Sequence, residues 1–180
     1  LGKVIAMNGV IMVSAVFDLR TLMFPPNDDL PYVVHFPTYA ATAWYHDKIE
    51  NKPSDVYDFL DEVRTFVEEE YMPALFRGDQ LSETERRTMA QRLATYSGVS
   101  ADYWQRADLR VKAGEFFAEL LREDGDAVGR LDSRYRGINQ DLLSQTADYD
   151  PQSLAISPAY ITGFMDYFYE DLGVSKDLHY

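Results

Sequence analysis

The chain contains no cysteine, so a disulfide framework and a thiolate metal site are both excluded. That absence leaves the compartment open, because secreted proteins can also lack cysteine. Basic residues are scarce: 17 Lys and Arg stand against 30 Asp and Glu, a formal net charge of −13. Nucleic acid and anionic membrane both call for basic surface, so neither is an expected partner. The few basic residues read as spread out, without an obvious patch. No apolar run approaches the roughly 18 residues of a membrane span. A nucleophile elbow of the form Gly-x-Ser-x-Gly is missing; Gly98-Val99-Ser100 comes nearest and reads as a helix stop followed by a helix cap. The three histidines, His35, His46 and His179, form no His-x-x-x-His or His-Glu-x-x-His pattern. His46 and Glu50 can share a helix face, but a metal site needs three or four ligands. Glu68, Glu69 and Glu70 are adjacent and cannot all face one point on a helix. There is no phosphate loop and no dinucleotide glycine motif. No cofactor is expected, and no complete active site.

What is present is a chain of 180 residues, 46% of them hydrophobic, enough for one domain with a real core. The stretch from Asp28 to Ile49 organises it. This most aromatic part joins an apolar, strand-like run to a series of amphipathic helices. Asp29 is suited to cap a helix, and Pro31 to its first turn. Pro37 should then break or kink that helix, with Thr38 capping a second one through Ala40, Ala41, Ala43 and Trp44. Tyr39, Tyr45 and His46 project on more than one side. They read either as a buried structural hinge or as the wall of a pocket.

Val10 to Val16 is apolar on both faces, as in a buried strand of a sheet. Asn8-Gly9 after Val4–Met7 also permits a hairpin. No second run of that quality follows, which marks the chain as a fragment; its start at Leu1, almost directly in a strand, reads the same way. Ser54 should cap a long helix burying Val56, Phe59, Leu60, Val63, Phe66 and Val67, kinked near Pro73 and stopped at Gly78. Ser82 and Glu85 form a capping box for a helix closed by Gly98. Ser100 caps a short helix, Leu109–Val111 is an extended link, and a helix from about Lys112 ends before Gly125. Val128 to Gly137 lacks helical period and reads as extended chain. Residues 138 to 153 read as loop, and Ser157-Pro158 as the start of a last helix ending at Gly173.

Several blocks resemble bacterial serine carboxypeptidases of the α/β-hydrolase fold. They are Asn8-Gly-Val-Ile-Met-Val-Ser14 with Asp18, Leu30-Pro-Tyr, and Phe36-Pro-Thr-Tyr-Ala-Ala-Thr-Ala-Trp-Tyr-His46. Val128-Gly-Arg-Leu-Asp-Ser-Arg-Tyr135 with Gly137, and Tyr149-Asp-Pro151 leading to Ala155-Ile156, complete the set. Their order and spacing match over nearly the whole chain. The resemblance implies a mainly α fold: residues 1–24 as a strand segment of the hydrolase core, and residues 25–180 as the helical cap over its active site. The parent would remove C-terminal residues from peptide substrates through a Ser-His-Asp triad lying outside this sequence, so no residue here is assigned as catalytic. Tyr39, Trp44 and Tyr45 become the candidates for the substrate pocket. The family also suggests a periplasmic or secreted location. Two alternatives stay open: a non-catalytic acidic helical interaction module, and the cap of a lipase-like or esterase-like hydrolase. A homodimer through antiparallel pairing of the N-terminal strand is a further expectation.

Because the elbow is missing, the 180-residue chain should not label with a serine-reactive fluorophosphonate. Stoichiometric labelling of one serine, read by mass spectrometry, would contradict this assignment of the triad to the parent.

Overall fold

The aromatic residues of the central stretch determine how the chain packs. A computed structural model describes residues 8–177. It is mainly helical, with 57% helix and 4% strand, as the amphipathic periods required. After a single turn, α1 (Arg20–Met23), comes the central helix α2 (Leu30–Tyr45). The ring of Phe36 is completely enclosed, with the rings of Phe66, Tyr71 and Trp104 at centroid distances of 5.8, 5.4 and 5.7 Å. Those three rings come from three different segments. Around α2 are gathered α3 (Val56–Phe66), α4 (Met72–Arg77), α5 (Glu83–Ser97), α6 (Ala101–Arg106) and α7 (Ala113–Glu119). A two-stranded antiparallel hairpin, β1 (Asp126–Val128) and β2 (Arg136–Ile138), and then α8 (Pro151–Asp166) finish the fold.

The expected break at Pro37 does not occur: α2 runs through it for 16 residues. Proline removes one helical hydrogen bond. Here Phe36, Tyr39, Ala40 and Ala43, all buried, need a continuous helix to share one face. Asp29 stands at the N-cap of α2 as expected, but its side chain makes no capping bond. Asp28 accepts the Leu30 N–H at 3.0 Å, while Asp29 forms a two-pronged pair with Arg110, at 2.7 and 3.0 Å. Asp55, one residue after the expected Ser54, caps α3 by accepting from the N–H groups of Tyr57 and Asp58. The expected kink at Pro73 is a π turn, Val67–Tyr71, in which the Met72 N–H reaches back to the Val67 carbonyl. The proline follows directly at the second position of α4, and the widened turn before it makes room for its ring. The Ser82–Glu85 capping box, the Ser100 cap and the left-handed helix stop at Gly98 form as expected.

The largest correction concerns Val10–Val16. This run is not a strand, and Val10, Ile11 and Val13 are 66%, 92% and 84% exposed. A strand needs a neighbour to satisfy its N–H and C=O groups, and no described segment offers one. Edge pairing of two copies would have to create the strand on contact. The other arm of the possible hairpin, Val4–Met7, lies outside the described residues. The last helix is also corrected: Asp150 caps it, it begins at Pro151 inside the expected loop, and it passes through Pro158.

Truncating Phe36 to alanine should cost about 3–5 kcal/mol, because three other segments close on its ring. Urea unfolding should show a lower midpoint with an unchanged slope.

Candidate functional site

The hairpin pairs Asp126 with Ile138, Ala127 with Gly137 and Val128 with Arg136. Its connection, residues 129–135, is long for a hairpin and would be mobile if left to itself. Instead it is tied down at nearly every backbone N–H. The Gly129 N–H donates to the Tyr135 carbonyl at 2.9 Å, and the Tyr135 N–H to the Asp132 carbonyl at 3.2 Å. The Arg130 N–H donates to Asp150 Oδ1 at 3.1 Å. Gln152 Oε1 accepts from both Leu131 N–H, at 3.1 Å, and Asp132 N–H, at 2.7 Å. Asp150 and Gln152 open α8, so the start of that helix doubles as the loop's anchor.

The opposite side of the loop is held by α2. Thr42 Oγ1 and Ser133 Oγ share a hydrogen bond of 2.7 Å, and His46 Nε2 lies 2.6 Å from the Ser133 carbonyl. A carbonyl only accepts, so Nε2 carries the proton and His46 acts as a structural donor. Glycine is required at two close approaches. A β-carbon on Gly129 would collide with the Asp132 carbonyl oxygen and lie 2.9 Å from Gln152 Cβ, and one on Gly137 would lie 2.7 Å from the Tyr149 hydroxyl.

The side chains are treated in the opposite way to the backbone. Arg130, Leu131, Arg134 and Tyr135 are all exposed, Leu131 by 78%. Asp132 accepts from the Arg134 guanidinium at 2.9 and 2.7 Å, and from its backbone N–H at 3.1 Å. A rigid loop that presents basic and apolar groups to solvent is suited to recognition, since its ligand need not order it.

The sequence candidates for the pocket do not assemble as a trio. Tyr39 is sealed in the core, stacked on Phe116 at 4.2 Å, with its hydroxyl 3.3 Å from the Val111 carbonyl. Burial pushes its pKa far up. Trp44 is half-buried; its indole N–H donates to the Pro53 carbonyl at 2.8 Å and its ring carries the Lys52 ammonium at 4.1 Å. Tyr45 is half-exposed and meets the His46 ring edge-on at 5.0 Å. It lies on the loop's side, since with Tyr135 it adds to the rise in the Arg134 pKa that the Asp132 bonds chiefly cause. The residues missed at the sequence level are Arg130, Arg134 and Arg136. Their bunching within seven positions of an acidic chain was the available signal.

A cleft of about 660 Å³ lies between α6, α7 and residues 142–145, lined by Tyr32, Tyr103, Arg110, Lys112 and Arg122 among others. Two of its three arginines are structural. Arg110 holds Asp29, and Arg122 binds Glu119 together with the carbonyls of Leu142 and Ser144. Among the described residues, no group of three or more His, Asp or Glu could hold a metal ion.

The Arg134 guanidinium holds the Asp132 carboxyl down to about 2, with its backbone N–H helping and desolvation opposing. An unfolded aspartate titrates near about 3.9. The folded value is the lower one, so this tether stabilises the loop above that unfolded value and is lost as pH falls through about 2. Carbon-detected NMR should find the Asp132 carboxylate still ionised at pH 3, with the Arg134 amide unmoved; titration near 4 would contradict the pairing. Comparison of the chain with protein-family models, with curated proteins and with solved structures gave no significant match.

Proposed function

We propose that this chain is the helical cap of a serine carboxypeptidase-like hydrolase, covering an active site whose triad is supplied by other parts of the parent. The supporting observation is the distribution of exposed apolar surface. The segment between α2 and β1 encloses a core, whereas the two flanking segments face outwards. Ile11, Val13 and Phe17 are 92%, 84% and 88% exposed before the core, and Leu154, Tyr160, Ile161 and Phe164 are 65%, 72%, 61% and 58% exposed after it.

On α8, at about 100° per residue, those four residues fall within an arc of about 120°, which is one face. A helix with such a face needs an apolar partner, and a sheet core covered by a cap is one. The pinned loop joins β1 to β2 and is fastened to Asp150 and Gln152 at the start of the same helix, so a cap seated on this face would carry the loop with it. In that setting the cap excludes water from the acyl transfer and shapes the peptide pocket.

The coding sequence extended in both directions should contain Gly-x-Ser-x-Gly upstream, with Asp and His downstream. The longer protein should label with fluorophosphonate and release C-terminal residues from peptides. In it, the α8 amides should exchange hydrogen more slowly than in the 180-residue chain. A longer sequence without the elbow overturns the enzyme reading in favour of an interaction module. Turnover of esters with no release from peptides overturns the carboxypeptidase assignment in favour of a lipase-like or esterase-like parent.

A further inference from the structure

We propose that Arg130 is a carboxylate-binding residue, and that its ligand is the free C-terminal carboxylate of a peptide. The first observation is one of charge pairing. The chain carries 30 acidic and 17 basic residues, so each guanidinium has a surplus of carboxylates to choose from. Every other described arginine has a carboxylate oxygen within 4.0 Å. Arg130 alone, among the described arginines, has none. Its neighbour Arg134 binds Asp132 through Nε and Nη2. An acidic chain that leaves one arginine uncommitted, in a loop whose backbone is fastened to α8, holds a guanidinium available to an outside anion.

The second observation is positional. The Arg130 N–H is fixed on Asp150, and the next two N–H groups on Gln152, so the Cα that carries the guanidinium is held by α8. The side chain itself is exposed. A planar guanidinium with a fixed base matches a carboxylate through two parallel N–H···O bonds. Leu131, 78% exposed beside it, offers apolar contact to the side chain of the terminal residue. The net charge of −13 opposes polyanions, which fits a ligand with a single charge in place of a nucleic acid or an anionic lipid surface.

Choosing the C-terminal carboxylate over a side-chain one rests on the carboxypeptidase reading; the carboxylate site itself does not. In the parent, Arg130 would distinguish peptides with a free terminus from amidated ones. It is a binding residue and takes no part in bond breaking.

The test uses the 180-residue chain. The Arg130 Nε–Hε resonance is followed by NMR during titration with N-acetyl-L-phenylalanine, with its amide, with N-acetyl-aspartate α-amide and with inorganic phosphate. The α-carboxylate should shift the resonance saturably, with a Kd of about 1 mM or weaker for a single ion pair. The amide should leave it unmoved, and phosphate and the side-chain carboxylate should bind at least threefold more weakly. Arg130→Gln should reduce affinity for the α-carboxylate about tenfold, as the loss of a charge-assisted bidentate contact requires. Arg87→Gln, remote in sequence, should leave it unchanged. Shifts with the amide, equal affinity for phosphate, or retained affinity in Arg130→Gln would each overturn the site. Equal affinity for the side-chain carboxylate would overturn its assignment to the peptide terminus. Failure of the longer protein to release C-terminal residues would count against the parent's activity alone and leave this titration as it stands.

Discussion

The enclosure of Phe36 is the constraint on which the rest depends. A ring at 0% exposure must be surrounded on every side, and here the surrounding rings come from the end of α3, the π turn and α6. Aromatic pairs at these separations add about 0.5–1.5 kcal/mol each beyond the area they bury. Bringing three segments onto one side chain fixes the angles at which their helices cross α2. The proline one residue later is tolerated for the same reason, since a kink at Pro37 would turn Tyr39, Ala40 and Ala43 away from the core that Phe36 begins.

Two buried tyrosines extend this order into irregular chain. The Tyr71 hydroxyl donates to the Leu109 carbonyl at 2.6 Å, and the Tyr39 hydroxyl to the Val111 carbonyl at 3.3 Å. Leu109 has φ 62, a left-handed conformation that costs a branched residue free energy. Its side chain is 1% exposed, and burial together with the Tyr71 bond offsets that cost. The link between α6 and α7 is therefore held from below by hydroxyl groups. Arg110, in the same link, reaches both Asp29 at the head of α2 and the Leu75 carbonyl at the end of α4. The hinge reading of the aromatic stretch and the ordering of this link express one packing problem.

Much of the fold was legible because it rests on local chemistry. The Ser82–Glu85 box, the Ser100 cap and the Gly98 stop are decided within a few residues, and they appear where the sequence puts them. A cap was lost where a distant partner competed. Asp29 serves Arg110, 81 residues away, in preference to its own helix. Val10–Val16 has strand composition without a strand partner, and composition cannot supply one. The candidate site was legible in part. Its glycines and arginines stand in the block Val128–Gly137, yet the tethers that make it rigid come from Thr42, His46, Asp150 and Gln152, and only the folded chain brings these together. Tyr39 could not be separated from Tyr45 by period alone, because both lie on one aromatic helix and only one of them meets Phe116.

The π turn at Val67–Tyr71 bears on how the sequence tolerates change in length. Each helical residue advances about 100°, so an extra residue in a regular helix would carry everything after it off the core face. Phe59, Val63 and Phe66 before the turn, and Tyr71, Ala74 and Leu75 after it, are nevertheless all buried. Counted at about 100° per residue, the two sets coincide only if one residue between them is passed over. The widened turn absorbs that residue, and the exposed acids Glu68 and Glu69 occupy it. Loss of either one would return the turn to α-helical form with both halves still facing inwards. The same deletion made one turn earlier would rotate Tyr71, Ala74 and Leu75 out of register. The helix thus contains one place where its length can drift by a residue without disturbing the core.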